Sequence, residues 1–170
     1  MGLHQYHMTE EIDPLTGLFF LSLHKKKSKG MMSKEEEWDY SHSYNMAIYD
    51  PKTDQTRYLF DNPYEDDAIT HILYETGYNG ASGKVVFNRS SSRIVNTQFA
   101  QREPSSKILV CQRIKAQNTF KIWLFDKNTA SSQLIAALDD NSSWVLDVKN
   151  QKVIAYKREL KGVDFKAFDF

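Results

Sequence analysis

Short apolar runs separated by polar, turn-forming tetrads dominate the chain, and helical periodicity is scarce. Four of the runs end in an aromatic residue followed by Asp or Asn: Tyr49-Asp50, Phe87-Asn88, Phe125-Asp126 and Phe168-Asp169. These pairs lie 38, 38 and 43 residues apart, an interval that suits one supersecondary unit repeated along the chain. Another apolar run precedes each of the last three at a similar offset: Ile72-Leu73-Tyr74, Ile108-Leu109-Val110 and Val153-Ile154-Ala155. Leu18 to Leu21 precedes the first copy at a longer offset, and the extra length is the polar stretch 25–41, read as a loop insertion.

The intervening polar tetrads read as turns. Asp50-Pro51-Lys52-Thr53 and Asp126-Lys127-Asn128-Thr129 follow aromatic strands, while Glu103-Pro104-Ser105-Ser106 and Asp147-Val148-Lys149-Asn150 precede the next apolar run. Phe99 and Trp144 each lie eight residues before the lysine that opens such a run, Lys107 or Lys152. Each unit is therefore expected to be an antiparallel meander of about four strands. Phe120, Ile122 and Leu124 alternate with Lys121 and Trp123, as a strand with one buried face requires. Ile108 to Cys111 is apolar on both faces, which predicts an inner strand. The best helix candidate is Lys34 to Tyr40, with Ser33 as its cap and Glu36 at the reciprocal position.

With 170 residues, 41% of them hydrophobic, the chain is read as a single all-β domain spanning 1–170. Lys plus Arg and Asp plus Glu both number 22, so nucleic acid, which demands a cationic surplus, is not the expected partner. The one basic run, Lys25 to Lys29, reads as a solvated loop. No apolar stretch is long enough for a spanning helix, and the first six residues lack a secretory apolar region. A cytoplasmic location is favoured, with a mature secreted form left open. Asn88-Arg89-Ser90 and Asn141-Ser142-Ser143 match the glycosylation sequon, and Cys111, the sole cysteine, reads as a small core residue.

The passage Trp144 to Tyr156, followed by Gly162 to Asp169, resembles a blade repeat of the TolB-like β-propellers, in which a Trp, an Asp-containing turn, an apolar strand and an aromatic-Asp strand recur. The resemblance lies mainly in residues 99–170, and of the family's Pro-Asp-Gly turn Asp147 alone remains. It implies a propeller-like fold of antiparallel meander repeats. Four copies with the last cut short fall below a usual ring of about four to eight blades. A fragment, a ring completed by a second chain, an up-and-down barrel and a β-sandwich fit the same pattern, so a homo-oligomer is a candidate state.

His4, His7, His24, His42 and His71 do not fall at metal-ligand spacings, and no metal or cofactor is expected. The carboxylates Glu35 to Glu37 and Glu65 to Asp67 are sequence neighbours, which by itself brings no two onto one pocket. Gly77 to Gly83 reads as a hairpin turn, because no helix follows to present a phosphate-binding N-terminus. Arg113 and Arg158 occupy equivalent places six residues after Lys107 and Lys152; with Tyr74 and Glu75 they are the candidate ligand-binding face. The expected function is a non-catalytic binding or scaffolding module for a protein, peptide or carbohydrate. The alternative is a carbohydrate-active or other hydrolytic enzyme, supported by fold analogy.

Overall fold

The structure, a computed structural model, describes residues 10–28, 36–62, 66–98, 102–129 and 131–170. The chain divides into two compact units, Met1–Ile72 and Leu73–Phe170. Both are all-β with predominantly antiparallel sheets, and among the described residues the helical content is one 3-10 turn, Lys115–Gln117.

In the first unit β1 (Glu10–Ile12), β2 (Phe19–Leu23), β5 (Asn45–Asp50) and β6 (Gln55–Tyr58) form an antiparallel sheet in the order β1-β2-β5-β6. Leu18, Phe20, Met46 and Ile48 are buried, the alternation in β2 and β5 turning one apolar face inward. Asn45, also fully buried, uses all its amide chemistry on the backbone. Its Nδ2 donates to the carbonyls of Phe60 (2.9 Å) and Asn62 (2.8 Å), and its Oδ1 accepts from Met46 N (2.8 Å) and Phe60 N (3.1 Å).

Between β2 and β5 stands a hairpin of β3 (Lys25–Ser28) and β4 (Glu36–Asp39). The expected helix is thus replaced, over Glu36 to Asp39, by a strand; Ser33, Lys34 and Glu35 lie outside the described residues. One helical turn closes too few hydrogen bonds to offset its nucleation, whereas the hairpin ladder is reinforced across the strands. The part of the basic run that the structure describes, Lys25 to Ser28, is correspondingly strand, and Lys29 lies outside the described residues; Lys26 Nζ lies 5.1 Å from the Trp38 ring and Lys25 Nζ lies 4.2 Å from the Tyr44 ring.

The second unit holds two sheets. One has the order β12-β11-β10-β7-β8, from β7 (Ile69–Asn79, across the unit boundary), β8 (Lys84–Phe87), β10 (Lys107–Ile114), β11 (Thr119–Asp126) and β12 (Ser132–Leu138). The other has the order β15-β14-β13-β9, from β9 (Ile94–Val95), β13 (Ser142–Asp147), β14 (Lys152–Glu159) and β15 (Gly162–Asp169). Leu73, Leu109, Cys111, Ile122 and Leu124 of the first sheet share one buried cluster with Trp144, Leu146, Val153 and Ala155 of the second. Ile108, Leu109, Val110 and Cys111 are all at most 1% exposed, which fits the central position of β10 and its apolar run on both faces.

All four pairs of an aromatic with Asp or Asn close a strand antiparallel to the apolar run upstream of it: β5 on β2, β8 on β7, β11 on β10 and β15 on β14. The acid has a local reason to be there. Asp50 Oδ1 accepts from Lys52 N (2.9 Å), and Asp126 Oδ1 accepts from Asn128 N (2.8 Å) and Thr129 N (3.2 Å), so each carboxylate caps the turn it begins. Four hairpins also share one loop design of four residues, 51–54, 80–83, 115–118 and 148–151. The last loop residue is left-handed in each: Asp54 (φ 54°), Gly83 (φ 67°), Asn118 (φ 50°) and Gln151 (φ 50°).

The sheets do not each take one four-strand meander. β7 and β8 share a sheet with β10 to β12, β13 pairs with β14, and β9 adds to β13 in parallel. Main-chain bonds from Leu146 N to Arg93 O (2.7 Å) and Val148 N to Val95 O (3.0 Å) hold that parallel pair.

Candidate functional site

Tyr74 and Glu75, consecutive on β7, point to opposite faces of the strand, yet both are 0% exposed. A buried carboxylate requires a cation and donors, and residues distant in sequence supply them. The Arg102 guanidinium grips Glu75 with two nitrogens, Nη1 at 3.1 Å from Oε2 and Nη2 on Oε1, while Ser105 N donates to Oε2. Lys127, 1% exposed, donates from Nζ to the Glu75 carbonyl at 2.7 Å and lies 4.8 Å from the Tyr74 ring centroid. Arg102 Nη1 also donates to Glu103 O at 2.8 Å, and Lys127 N to Ser106 O at 2.8 Å. The turn before β10 and the turn after β11 are thereby tied to β7 through one buried charged cluster.

The two arginines have a different setting. Arg113 is exposed near the end of β10, opposite Phe120, and Arg158 is exposed near the end of β14, 5.6 Å from the Tyr156 ring. The four residues therefore divide into a buried pair and two exposed side chains on strands of different sheets.

What β7 positions is its hairpin partner β8, an end strand of the five-stranded sheet. Phe87 stands opposite Glu75, and Asn88 clasps Tyr74 in both directions: Asn88 N donates to Tyr74 O and Tyr74 N to Asn88 Oδ1, both at 3.0 Å. The Asn88 sequon side chain is thus engaged in the fold. Beside β8 the chain returns through residues 89–97 and closes part of the edge, with Val85 N donating to Thr97 O at 3.4 Å and Lys84 bridging to Gln98.

An open groove of about 380 Å³ lies between β8 and this return. Val85, Val86, Phe87 and Ile94 supply its apolar lining, Ser90 and Thr97 are among its hydroxyls, and Lys84 and Arg89 are its basic residues. The volume falls within the usual range for a small-ligand or side-chain site. No family model matches the chain, and neither a curated protein nor a solved structure matches it.

His24, 5% exposed, has Nδ1 at 2.7 Å from His42 O, and its ring meets Tyr40 edge-on at 5.0 Å. No group of three or more His, Cys, Asp or Glu suited to a metal occurs among the described residues; His4, His7, Glu35 and Glu65 lie outside them, as does Phe99. No helix of the described residues is long and apolar enough to cross a membrane.

Sequence reasoning did not reach Arg102, Ser105, Lys127 or the groove. Arg102 and Ser105 belong to a segment whose Pro and Ser read simply as a turn, and Lys127 follows a strand as an ordinary turn residue. Their significance comes from Glu75, which lies 27 to 52 residues away.

Proposed function

We propose that this chain is a non-catalytic β-repeat binding module whose ligand is an extended peptide segment carrying apolar and acidic side chains, held in the groove beside β8. The groove carries the reading: Val86, exposed, and Val85, Phe87 and Ile94, which also pack on the core, offer an apolar lining, and Lys84 offers an exposed cation beside it. A saccharide is favoured less, because the aromatic platform that sugar rings stack on is here reduced to Phe87. The shared four-residue loop with its left-handed last position supports the repeat interpretation, and the meander β13-β14-β15 with Trp144 buried supports the likeness of this part to a TolB-like blade. The meeting of both sheets in one core equally suits the two-layer sandwich.

Titration of the isotope-labelled protein with a library of acidic-apolar peptides, followed by amide chemical shifts, tests the proposal. Binding should perturb residues 84–97, and Lys84→Glu, an exposed position, should weaken it while leaving the fold intact. Shifts clustered elsewhere, or binding indifferent to Lys84→Glu, would discard the groove; saturation by neutral oligosaccharides in place of peptides would discard the ligand class.

A further inference from the structure

The outer edge of β15 is free among the described residues, since β15 ends the order β15-β14-β13-β9. It is eight residues long, pairs with β14 without a register shift, and contains no Pro. Such an edge offers a continuous row of unpaired amides and carbonyls, and of the devices natural sheets use to interrupt one, a bulge, Pro, a shortened strand or edge charges, β15 carries the charges alone, Asp164 and Lys166. It is also apolar on one face. Val163 is 48% and Phe165 65% exposed, and Phe165 continues a ring pair with Tyr156 at 6.0 Å between centroids.

The parity of the strand shows which residues present that edge. Arg158 N donates to Asn141 O, away from β15, so the Arg158↔Val163 pair is one that exchanges no hydrogen bonds. Phe170 N donates to Gln151 O, on the β14 side. By alternation, the amides and carbonyls of Val163, Phe165 and Ala167 point outward. Their side chains share a face, because successive strand residues alternate.

Charge then selects the partner. About Phe165 the segment is antisymmetric: Asp164 and Lys166 flank it, and Lys161 and Asp169 lie four residues to either side. Laid antiparallel against a copy of itself with the two Phe165 residues opposite, every Asp164 meets a Lys166, and Lys161, in the turn before the strand, comes level with an Asp169 that Lys152 already holds. Val163 then meets Ala167, and the exposed aromatics join into a row of Tyr156 and Phe165 from each chain. Sliding the centre by one residue sets Asp164 against Asp164 or Lys166 against Lys166, which cross-strand energetics penalise. We propose that β15 pairs edge to edge with β15 of a second copy of this chain, antiparallel and centred on Phe165. The pairing does not depend on the groove beside β8.

Sedimentation velocity over a concentration series tests it. The wild-type chain should form a dimer by mass action. Asp164→Lys and Lys166→Asp, both at exposed sites, should each weaken it by roughly tenfold or more, since two attractive pairs become repulsive at once. An equimolar mixture of the two variants should recover the dimer, because all four central charges are again opposed in sign. Phe165→Cys under mild oxidation should give a disulfide-linked dimer, the facing Cα atoms of such a pair lying about 5.5 Å apart; Cys111 is buried and should not react. A wild-type chain that stays monomeric, a dimer untouched by either charge reversal, or a mixture that fails to recover would overturn the proposal. Far-UV circular dichroism separates lost association from lost folding.

Discussion

Replacing Arg102 with Met should strand the Glu75 carboxylate in the interior of the second unit. The Glu75 side chain is 0% exposed, so water cannot take the place of the guanidinium, and what remains is one donor from Ser105 N and the Lys127 ammonium on the adjacent carbonyl. Removing one partner of a buried ion pair costs about 3–5 kcal/mol. At roughly 4–8 °C per kcal/mol for a unit of this size, the melting temperature should fall by on the order of 15 °C or more. The reverse change, Glu75→Gln, should cost less, about 1.5–3 kcal/mol. Arg102 is 18% exposed and can turn its charge toward solvent, and the Gln amide oxygen can still accept from Ser105. Glu75→Gln combined with Arg102→Met removes both charges and should cost well below the sum of the two single changes. Urea denaturation followed by circular dichroism and Trp fluorescence gives the three free energies and their coupling. A coupling near zero, or an Arg102→Met loss below about 1 kcal/mol, would mean that the cluster is not a closed buried pair and would refute the account.

Three further outcomes are expected. Gln151→Gly should stabilise the chain by about 0.5–1 kcal/mol, because a left-handed Gln costs about 1–2 kcal/mol and glycine entropy returns only part of it; Asn118→Gly should gain less and Gly83→Ala should lose, so thermal melts that reverse this order would exclude loop strain as the cause. Asn45→Ala should cost about 2–4 kcal/mol in chemical denaturation, since it abandons buried main-chain groups around Phe60; a loss under about 1 kcal/mol would show those groups to be hydrated instead. Stability should also depend on pH at both extremes. Burial pushes the Asp126 carboxyl up, but the Asn128 and Thr129 amides, the Ser106 hydroxyl and Lys107 outweigh it and hold it below the ordinary value; in Asp147 burial is likewise outweighed, by Asn150 and Asn96. A carboxyl depressed in the folded state contributes stability above its unfolded value of about 4 and loses it as pH falls through the folded one, so denaturation midpoints should drop below about pH 4. The Lys157 ammonium is raised by its hydrogen bond to Asp139, so its contribution is present below about pH 10.5 and is lost above; a Lys157→Met variant should lack that alkaline loss.

The strands themselves are legible in the amino-acid sequence. Period-two alternation, apolar runs and Asp-headed turns are local signals, and the segments around Tyr49, Phe87, Phe125 and Phe168 are strands paired with the runs read upstream of them. The inner position of Ile108 to Cys111 follows from the same kind of signal, because a strand covered on both faces must be apolar on both. The capping pattern that marks Lys34 to Tyr40 as a helix candidate is equally local, while the hairpin that makes Glu36 to Asp39 a strand depends on pairing with Lys25 to Ser28. Which sheet each strand joins was decided by tertiary structure alone: β7 and β8 lie with β10 to β12, and β9 runs parallel to β13. Strand edges are chemically alike along the backbone, so their choice of neighbour rests on the burial of whole faces together. The candidate residues show the same division. Glu75 could be named from its position, but whether a carboxylate is solvated or clamped depends on Arg102 and Lys127 arriving from distant turns, and no local pattern carries that information.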